Sequence, residues 1–192
     1  MTAVKNGRSI DTSMGFTPLE GLVMCTRCGD LDPAVPSFLI AHEELTLGEI
    51  NTLLNYRSGL YGLSGVSPDI REIKAEADRG NELAKLSLDV FTYRVKKYFG
   101  AYAAVLDGVD AAVFTGGIGE NAYWIREEVC RGLNYLGLVL DEEKNRRLQG
   151  KEGVISKDDS KVKALVIPTD EEWVIACDVK KVLSEDRNFS QN

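Results

Sequence analysis

Two cysteines flank an arginine in the stretch MCTRCGDLDP, which runs from Met24 to Pro33. With two further cysteine or histidine ligands, Cys25 and Cys28 would hold a structural zinc ion. At the start of a helix, the same pair would be typical of a redox protein. In a third interpretation, which the loop-forming residues from Gly29 to Pro33 favour, both are unpaired thiols in a loop. The residues that could complete a zinc site are scattered singly: Cys130, Cys177 and His42.

Arg27 lies between these cysteines and is followed by Asp30 and Asp32. Arginine offers a planar, permanently charged fork that fits the oxygens of a phosphoryl group. An aligned cation of this kind accelerates phosphoryl transfer by stabilising charge in the transition state. The alternative is a salt bridge from Arg27 to Asp30 or Asp32, which would fix the loop and catalyse nothing.

A glycine-rich turn lies in the stretch VFTGGIGENAYWIREEV, residues 113–129. Glycines let a backbone approach a ligand closely, and the N–H groups at a helix start favour polar or anionic groups. The stretch lacks the Lys-Ser/Thr pair of a Walker loop and the spacing of a dinucleotide fingerprint. It is therefore either a turn that contacts a nucleotide or a tight structural turn.

Two further groups of charged residues could bind a nucleotide and its metal. Asp69 and Arg71 follow a glycine-punctuated segment and would hold a ribose hydroxyl and a base or phosphate edge, or form a surface ion pair. The stretch PTDEEWV, residues 168–174, puts three carboxylates at a predicted helix start. Such carboxylates cap a helix, and they are also hard oxygen ligands that suit Mg²⁺.

Hydrophobic periodicity and turn residues predict the elements that would position these groups. Strand, glycine or proline turn, and helix occur twice in succession, which predicts an α/β architecture. The predicted elements are a hairpin of 3–5 and 8–11, a loop at 14–36, helices at 37–41 and 47–56, a loop at 58–73 with a short helix after it, a helix from 81 to about 102, a strand at 110–115, a helix at 120–133, a strand at 163–167, a helix at 170–183 and a frayed polar tail at 184–192.

The bulk composition restricts the class of protein. The chain has 192 residues, 44% hydrophobic and 28% charged, enough to bury one good core. A net charge of −7 provides no basic surface for nucleic acid or an anionic membrane. Four cysteines, without an apolar segment of about twenty residues, predict a cytoplasmic protein in a reducing compartment that does not span a membrane.

Five runs in this order resemble those of acetate kinase and its acetokinase relatives, over nearly the whole chain. The resemblance implies one lobe of the superfamily of sugar kinases, actin and heat-shock ATPases, a ribonuclease H-like α/β lobe with a mixed sheet flanked by helices. We therefore expect residues 1–192 to form a single domain that corresponds to the C-terminal, nucleotide-binding lobe. The runs are DTSMGFTPLEGLVM (11–24), TRCGDLDP (26–33), GLSGVSPDIRE (62–72), FTGGIGEN (114–121) and IPTDEEWVIA (167–176).

The resemblance also implies a reaction, in which acetate and ATP give acetyl phosphate and ADP, and a homodimer through this lobe. The aromatic-rich helix near 93–102 would supply part of the dimer interface. Arg27 would stabilise the transferring phosphoryl group, and Glu171 would serve a Mg²⁺ site. The alternative is a non-catalytic nucleotide-binding or dimerisation module that kept the fold. The residues implied to lie against the nucleotide are Asp69, Ile70, Arg71, Gly116, Gly117, Ile118, Gly119, Glu120 and Asn121.

The chain departs from the family pattern in two ways. Cys25 and Cys28 replace a glycine and a serine, and a side chain at position 25 would distort the loop if that position used a positive φ. In the family, a preceding lobe supplies the acetate pocket, a catalytic histidine and a phosphate loop, and His42 matches no catalytic position. We therefore expect this chain alone to bind Mg·ADP weakly and to transfer phosphate slowly. The choice between acetate and propionate stays open.

Overall fold

The computed structural model describes the backbone of residues 1–189 and the side chains of residues 1–184. It opens with the predicted hairpin, in which β1 (Thr2–Lys5) pairs antiparallel with β2 (Arg8–Thr12). Asn6 and Gly7 between them have φ values of 53° and 73°. A two-residue turn of this hand matches the twist of the strands, which is why the Asn-Gly pair predicted it.

A second, mixed sheet has the order β3-β5-β4. Its strands are β3 (Ala111–Phe114), β4 (Gly153–Val154) and β5 (Lys163–Val166). β3 and β5 run parallel, and β4 pairs antiparallel with β5. Both predicted apolar strands are therefore confirmed, and the sheet is mixed, as the resemblance implies.

Helices fill the chain between and around the two sheets. A 3₁₀ turn at Leu133–Leu136 precedes the last four elements. Within residues 1–189, no helix combines the length and the apolarity that a membrane span needs. The helices are α1 (Ala34–Glu43), α2 (Leu47–Tyr56), α3 (Gly59–Ser64), α4 (Ile70–Asp78), α5 (Glu82–Leu106), α6 (Gly116–Asn121), α7 (Tyr123–Cys130), α8 (Glu142–Arg147) and α9 (Glu171–Phe189).

The long helix α5 organises the core. The side chain of Asn81 caps its start by accepting from the N–H groups of Leu83 and Ala84, and the helix runs four residues beyond the predicted end. Its apolar stripe faces two clusters, one formed with α3, α4 and α7 and the other with the mixed sheet. The periodicity therefore predicted the core helix correctly. The buried members of the stripe are Ala84, Leu88, Phe91, Val95, Phe99 and Tyr102.

Three predicted boundaries are wrong. The loop at 58–73 contains the helix α3 and the start of α4. Gly59 begins α3 and Gly65 caps its end, with φ values of 62° and 66°, so these glycines bound a helix instead of preventing one. The helix at 120–133 is two helices broken at Ala122, and the first begins earlier, at Gly116. The tail is helical to Phe189, and residues 190–192 lie outside the described residues.

Candidate functional site

The loop that carries Arg27, residues 24–30, is tied by its backbone to the start of α3. The N–H groups of Ser58, Leu60 and Tyr61 donate to carbonyl oxygens of the loop at 3.0, 2.9 and 2.9 Å. Gly59 makes this approach possible, since a Cβ there would lie 2.3 Å from the carbonyl oxygen of Met24. We call this segment the Arg27 loop.

The guanidinium of Arg27 is half-buried, and its Nη1 lies 3.9 Å from the sulfur of Met24. Among the described residues it forms no salt bridge, so the alternative in which Arg27 pairs with Asp30 or Asp32 is wrong. Asp30 instead pairs with Arg94 and accepts a hydrogen bond from the Tyr98 hydroxyl at 2.8 Å. The loop is therefore anchored on α5 through Asp30, and Arg27 has no carboxylate partner among the described residues.

The two cysteines beside Arg27 are half-buried free thiols. Burial raises the pKa of both, and the charge of Asp69 raises that of Cys25 further. In the part of the chain that the structure describes, no three Cys, His, Asp or Glu residues cluster as metal ligands, and the first helix after the pair starts at Ala34. Neither the zinc nor the redox interpretation is supported. Cys25 is not among the residues with a positive φ, so the condition under which its side chain would distort the loop is not met.

Asp69 caps the start of α4, where its Oδ1 accepts from the N–H of Arg71 at 2.8 Å. The Arg71 side chain is 80% exposed and donates to both carboxylate oxygens of Asp69. These hydrogen bonds lower the pKa of Asp69 to about 2. Ile70 between them is buried in the core, so any contact from Ile70 to a ligand would come through its backbone. The arrangement is the surface ion pair, with Arg71 projecting into solvent.

The glycine turn, residues 116–121, coincides with α6. Gly116 has a φ of 70°, and a Cβ at Gly116 or Gly117 would meet nothing within 4 Å. A Cβ at Gly119 would lie 3.2 Å from the backbone of Phe114, so this glycine serves packing. The Asn121 amide donates back to the carbonyl of Gly117 at 3.0 Å. The first two glycines therefore leave open space where a ligand could approach the backbone.

Glu120 connects the glycine turn with the segment before Glu171. Its Oε1 accepts from the N–H groups of Gly116 and Thr169 at 2.8 and 2.9 Å. Glu171, two residues after Thr169, is exposed in the first turn of α9. In residues 1–189 no hydrogen bond or salt bridge joins the glycine turn to Arg27 or to the Asp69 pair. Direct contacts therefore join the glycine turn to the segment before Glu171, but they do not join it to Arg27 or to the Asp69 pair.

The whole arrangement matches one family. The family model described as the acetokinase family matches residues 1–177. The chain belongs to the acetokinase family. It is 56% identical over 183 residues to an acetate kinase from Heliobacterium modesticaldum, and 54% identical over 187 residues to one from Thermotoga petrophila. These matches cover 95% and 96% of the chain, but 46% of each relative.

Solved acetokinase structures share the fold. The acetate kinase of Porphyromonas gingivalis superposes with a TM-score of 0.90 at 51% identity, covering 95% of this chain and 46% of that one. A propionate kinase from Francisella tularensis superposes with a TM-score of 0.82 at 43% identity, covering 89% and 43%. The α/β fold with its mixed sheet, expected from the resemblance, is confirmed. The chain spans about half the length of the relatives it matches.

Sequence reasoning missed Arg126, which is fully buried on α7. Its guanidinium donates to the carbonyl oxygens of Gly119 and Glu120 at 2.8 and 2.7 Å, and to Asn145 Oδ1 at 2.7 Å. It also donates to the backbone carbonyls of Asn145 and Leu148. Nothing in the sequence distinguishes Arg126 from an exposed arginine. It fastens the C-terminal end of the glycine turn to α8.

The donors near the start of α9 fit a magnesium ion that is also held by a nucleotide. Mg²⁺ in phosphate-binding sites usually takes one or two carboxylates together with phosphate oxygens and water. Asp170 uses its Oδ1 to accept from the N–H of Trp173 at 2.9 Å, whereas Glu171 and Glu172 are exposed. The described residues hold no cluster of three such ligands, so Glu171 would be a single protein ligand beside phosphate oxygens and water.

Proposed function

We propose that the chain is the nucleotide-binding lobe of an ATP-dependent kinase that phosphorylates a carboxylate, with acetate and ATP giving acetyl phosphate and ADP. The observation that carries the proposal is Arg27, a half-buried cation without a salt bridge among the described residues, in a loop tied to α3 and α5. A guanidinium without a carboxylate partner suits a phosphoryl group that arrives with the substrates.

In this proposal Arg27 acts on the transition state. Phosphoryl transfer spreads negative charge over three equatorial oxygens, and a preorganised cation stabilises that charge without reorganising. The ties from Ser58, Leu60 and Tyr61, together with the Asp30 anchor, hold the loop before substrate binds. A bound magnesium ion would neutralise the nucleotide phosphates from the side of Glu171.

The nucleoside would lie between the Asp69 pair and the glycine turn. Gly116 and Gly117 leave the space that a ribose or base needs to approach the backbone. The N–H of Gly116 is already taken by the Glu120 carboxylate, and that negative charge disfavours a phosphate at the same place. The phosphates would therefore extend away from the turn, toward Arg27.

The acceptor pocket would come from the half of the relatives that this chain does not span. A cytoplasmic location and a homodimer stay predictions. The helix α5 offers an exposed apolar face for a second copy, since Leu83, Leu86 and Tyr93 are 56%, 49% and 62% exposed. Light scattering at micromolar concentration would report the mass of one chain or of two.

The second candidate is a non-catalytic nucleotide-binding or dimerisation module. Its supporting observation is the exposed apolar face of α5 described above, which a second copy would cover. Such a module would bind ADP with the same residues, and Arg27 would have no kinetic role.

Reconstitution separates the two candidates. The chain is mixed with, or fused to, the unmatched N-terminal lobe of the Heliobacterium acetate kinase, and acetyl phosphate is trapped as the hydroxamate. The kinase proposal expects turnover that Arg27→Ala reduces by about a thousandfold without lowering the melting temperature. Arg57→Ala, which removes an exposed arginine at the end of α2, is the matched control. A restored rate that Arg27→Ala leaves unchanged would contradict the proposed role of Arg27.

A further inference from the structure

One carboxylate joins two segments that the proposed function uses separately. Oε1 of Glu120 accepts three hydrogen bonds, from the Gly116 N–H at 2.8 Å, the Thr169 N–H at 2.9 Å and the Thr169 hydroxyl at 3.1 Å. Gly116 begins the glycine turn, and Thr169 lies in the loop between β5 and α9. We call this set of bonds the Glu120 clamp.

The bonds of the clamp are of the strong kind. Hydrogen bonds to an ionised carboxylate are shorter and about twice as strong as neutral ones. They lower the pKa of Glu120 from its usual value, the Thr169 N–H contributing most, so the carboxylate is charged at neutral pH. The clamp therefore holds its two segments together under the conditions in which a kinase works.

Arg126 makes the glycine turn a rigid body on which the clamp can act. It binds the carbonyl oxygens of Gly119 and Glu120, at the end of the turn opposite Gly116. The N–H of Gly150 donates to the Glu120 carbonyl at 3.1 Å and adds a further tie. The turn is thus fixed at its C-terminal end, and Glu120 is the residue through which it contacts Thr169.

The other end of the clamp adjoins the carboxylate assigned to magnesium. Thr169 is separated from Glu171 by Asp170 alone, and Asp170 caps the first turn of α9 through the N–H of Trp173. A displacement of the Thr169 backbone therefore moves Glu171 with it. All side chains described on α9 are exposed, so little other packing fixes its first turn.

We propose, resting on the function proposed above, that Glu120 is a positioning residue that couples nucleotide binding at the glycine turn to magnesium binding at Glu171. It replaces the expectation that Glu120 itself lies against the nucleotide. A nucleotide seated on the turn sets the position of Glu171 through the clamp, and a metal bound by Glu171 holds the turn in return. Thermodynamic linkage makes this coupling reciprocal.

The coupling is measured by titration calorimetry of ADP into the 192-residue chain, once with excess Mg²⁺ and once with EDTA. The measured quantity is the ratio of the two dissociation constants. We expect Mg²⁺ to tighten ADP binding to the unaltered chain by at least about fivefold, the lower end of typical coupling between sites. Glu120→Ala should reduce that ratio to about twofold or less while changing the affinity in EDTA by less than about threefold.

Thr169→Val tests the clamp without altering Glu120. It removes the hydroxyl bond and keeps the N–H bond, so the ratio should fall between those of the unaltered chain and Glu120→Ala. Glu120→Gln keeps an oxygen acceptor and should restore part of the ratio. Glu128→Gln is the matched control, since Glu128 is partly exposed on α7 and pairs with Arg131 at 2.9 Å. Its ratio should equal that of the unaltered chain.

The outcomes separate this inference from the function on which it rests. An unaltered chain that binds no ADP in either buffer overturns both. If ADP binds and Mg²⁺ does not tighten it, or if Thr169→Val and Glu120→Ala keep the full ratio, the coupling is wrong and the nucleotide site stands. A large loss of affinity in EDTA for Glu120→Ala, with the ratio retained, would identify Glu120 as a direct nucleotide contact. If Glu120→Ala melts below the assay temperature, Thr169→Val alone decides.

Discussion

The Tyr98 hydroxyl on α5 donates a 2.8 Å hydrogen bond to the carboxylate of Asp30 in the Arg27 loop, across 68 residues of sequence. The other carboxylate oxygen of Asp30 accepts from the N–H of Gly21 at 2.8 Å, and Arg94 supplies a salt bridge. One carboxylate therefore fastens both sides of the loop to the central helix of the core. The position of Arg27 depends on α5 as much as on its own loop.

We predict that the folded chain loses stability in alkaline solution because of the Tyr98 hydroxyl. Burial, and then the bond to Asp30, raises the pKa of Tyr98 to about 12 from the ordinary value of 10.0. The folded chain therefore keeps a proton that the unfolded chain loses between pH 10 and 12, and the free energy of unfolding should fall as pH rises through that window. Below pH 10 this contribution is fully present.

Urea denaturation at several pH values between 9 and 12 measures the effect. Tyr98→Phe should flatten the decline, because the group that titrates differently in the two states is gone. Tyr56→Phe, at a tyrosine that is 67% exposed, is the control and should keep the slope of the unaltered chain. Equal slopes for Tyr98→Phe and the unaltered chain would show that the phenol is not held by Asp30.

Gly59 is predicted to be indispensable to the Arg27 loop. Gly59→Ala would put a Cβ 2.3 Å from the carbonyl oxygen of Met24 at a φ of +62°. We expect a loss of about 3 kcal/mol or more in the free energy of unfolding, from backbone strain and overpacking together. Gly65→Ala is the matched control, with a φ of +66° and nothing within 4 Å, and should cost only about 1 kcal/mol. Similar costs in urea denaturation would contradict the close approach.

Two turns and a helix show which parts of the fold can be predicted from the sequence and which cannot. The Asn6-Gly7 turn and the stripe of α5 were predictable because local chemistry alone determines them. Gly59 and Gly65 were taken as loop residues, since a glycine at the boundary of a helix looks the same in sequence as one that prevents a helix. The role of Glu120 was not predictable either, because its partner Thr169 is 49 residues away and only the fold brings them together.

The cysteines are predicted to differ in reactivity and to bind no stoichiometric zinc. Cys177 is exposed on α9 and should be alkylated first by iodoacetamide at pH 7.5. Cys25 and Cys28 should follow slowly, since a raised pKa leaves little thiolate at that pH. Cys130 is buried, and burial raises its pKa to about 12, so it should react only after unfolding. Peptide mass spectrometry gives the order in which the four thiols react.

Metal analysis tests the prediction about zinc. One zinc per chain, lost in Cys28→Ser, would overturn it.

Substitutions in the glycine turn should change ADP affinity and the free energy of unfolding by different amounts. Gly117→Val adds a side chain in open space, so we expect the free energy of unfolding to change by less than about 1 kcal/mol. ADP affinity should fall by about tenfold or more, because the side chain would occupy the approach to the backbone.

Gly119→Val is the contrasting variant. Its Cβ would lie 3.2 Å from the backbone of Phe114, and the fold should lose about 1–3 kcal/mol. Titration calorimetry and thermal melts on both variants give the comparison. Unchanged ADP affinity in Gly117→Val would remove the nucleotide role from the turn and leave it a structural feature.

The chain by itself should be a poor catalyst even if the proposed function is right. Phosphoryl transfer depends on holding the acceptor in line with the γ-phosphate and excluding water from the cleft. This chain contains Arg27, the glycine turn and Glu171, but it spans 46% of the length of its relatives. We therefore expect acetyl phosphate formation at least about a thousandfold slower than by a full-length acetokinase, the scale of lost positioning and transition-state contacts. Hydroxamate trapping with the chain alone measures the rate, and mass spectrometry of the same sample excludes a longer contaminant. An ordinary enzymatic rate from the chain alone would mean that its own residues hold the acceptor. The proposal that the acceptor pocket comes from the other half of the relatives would then be wrong.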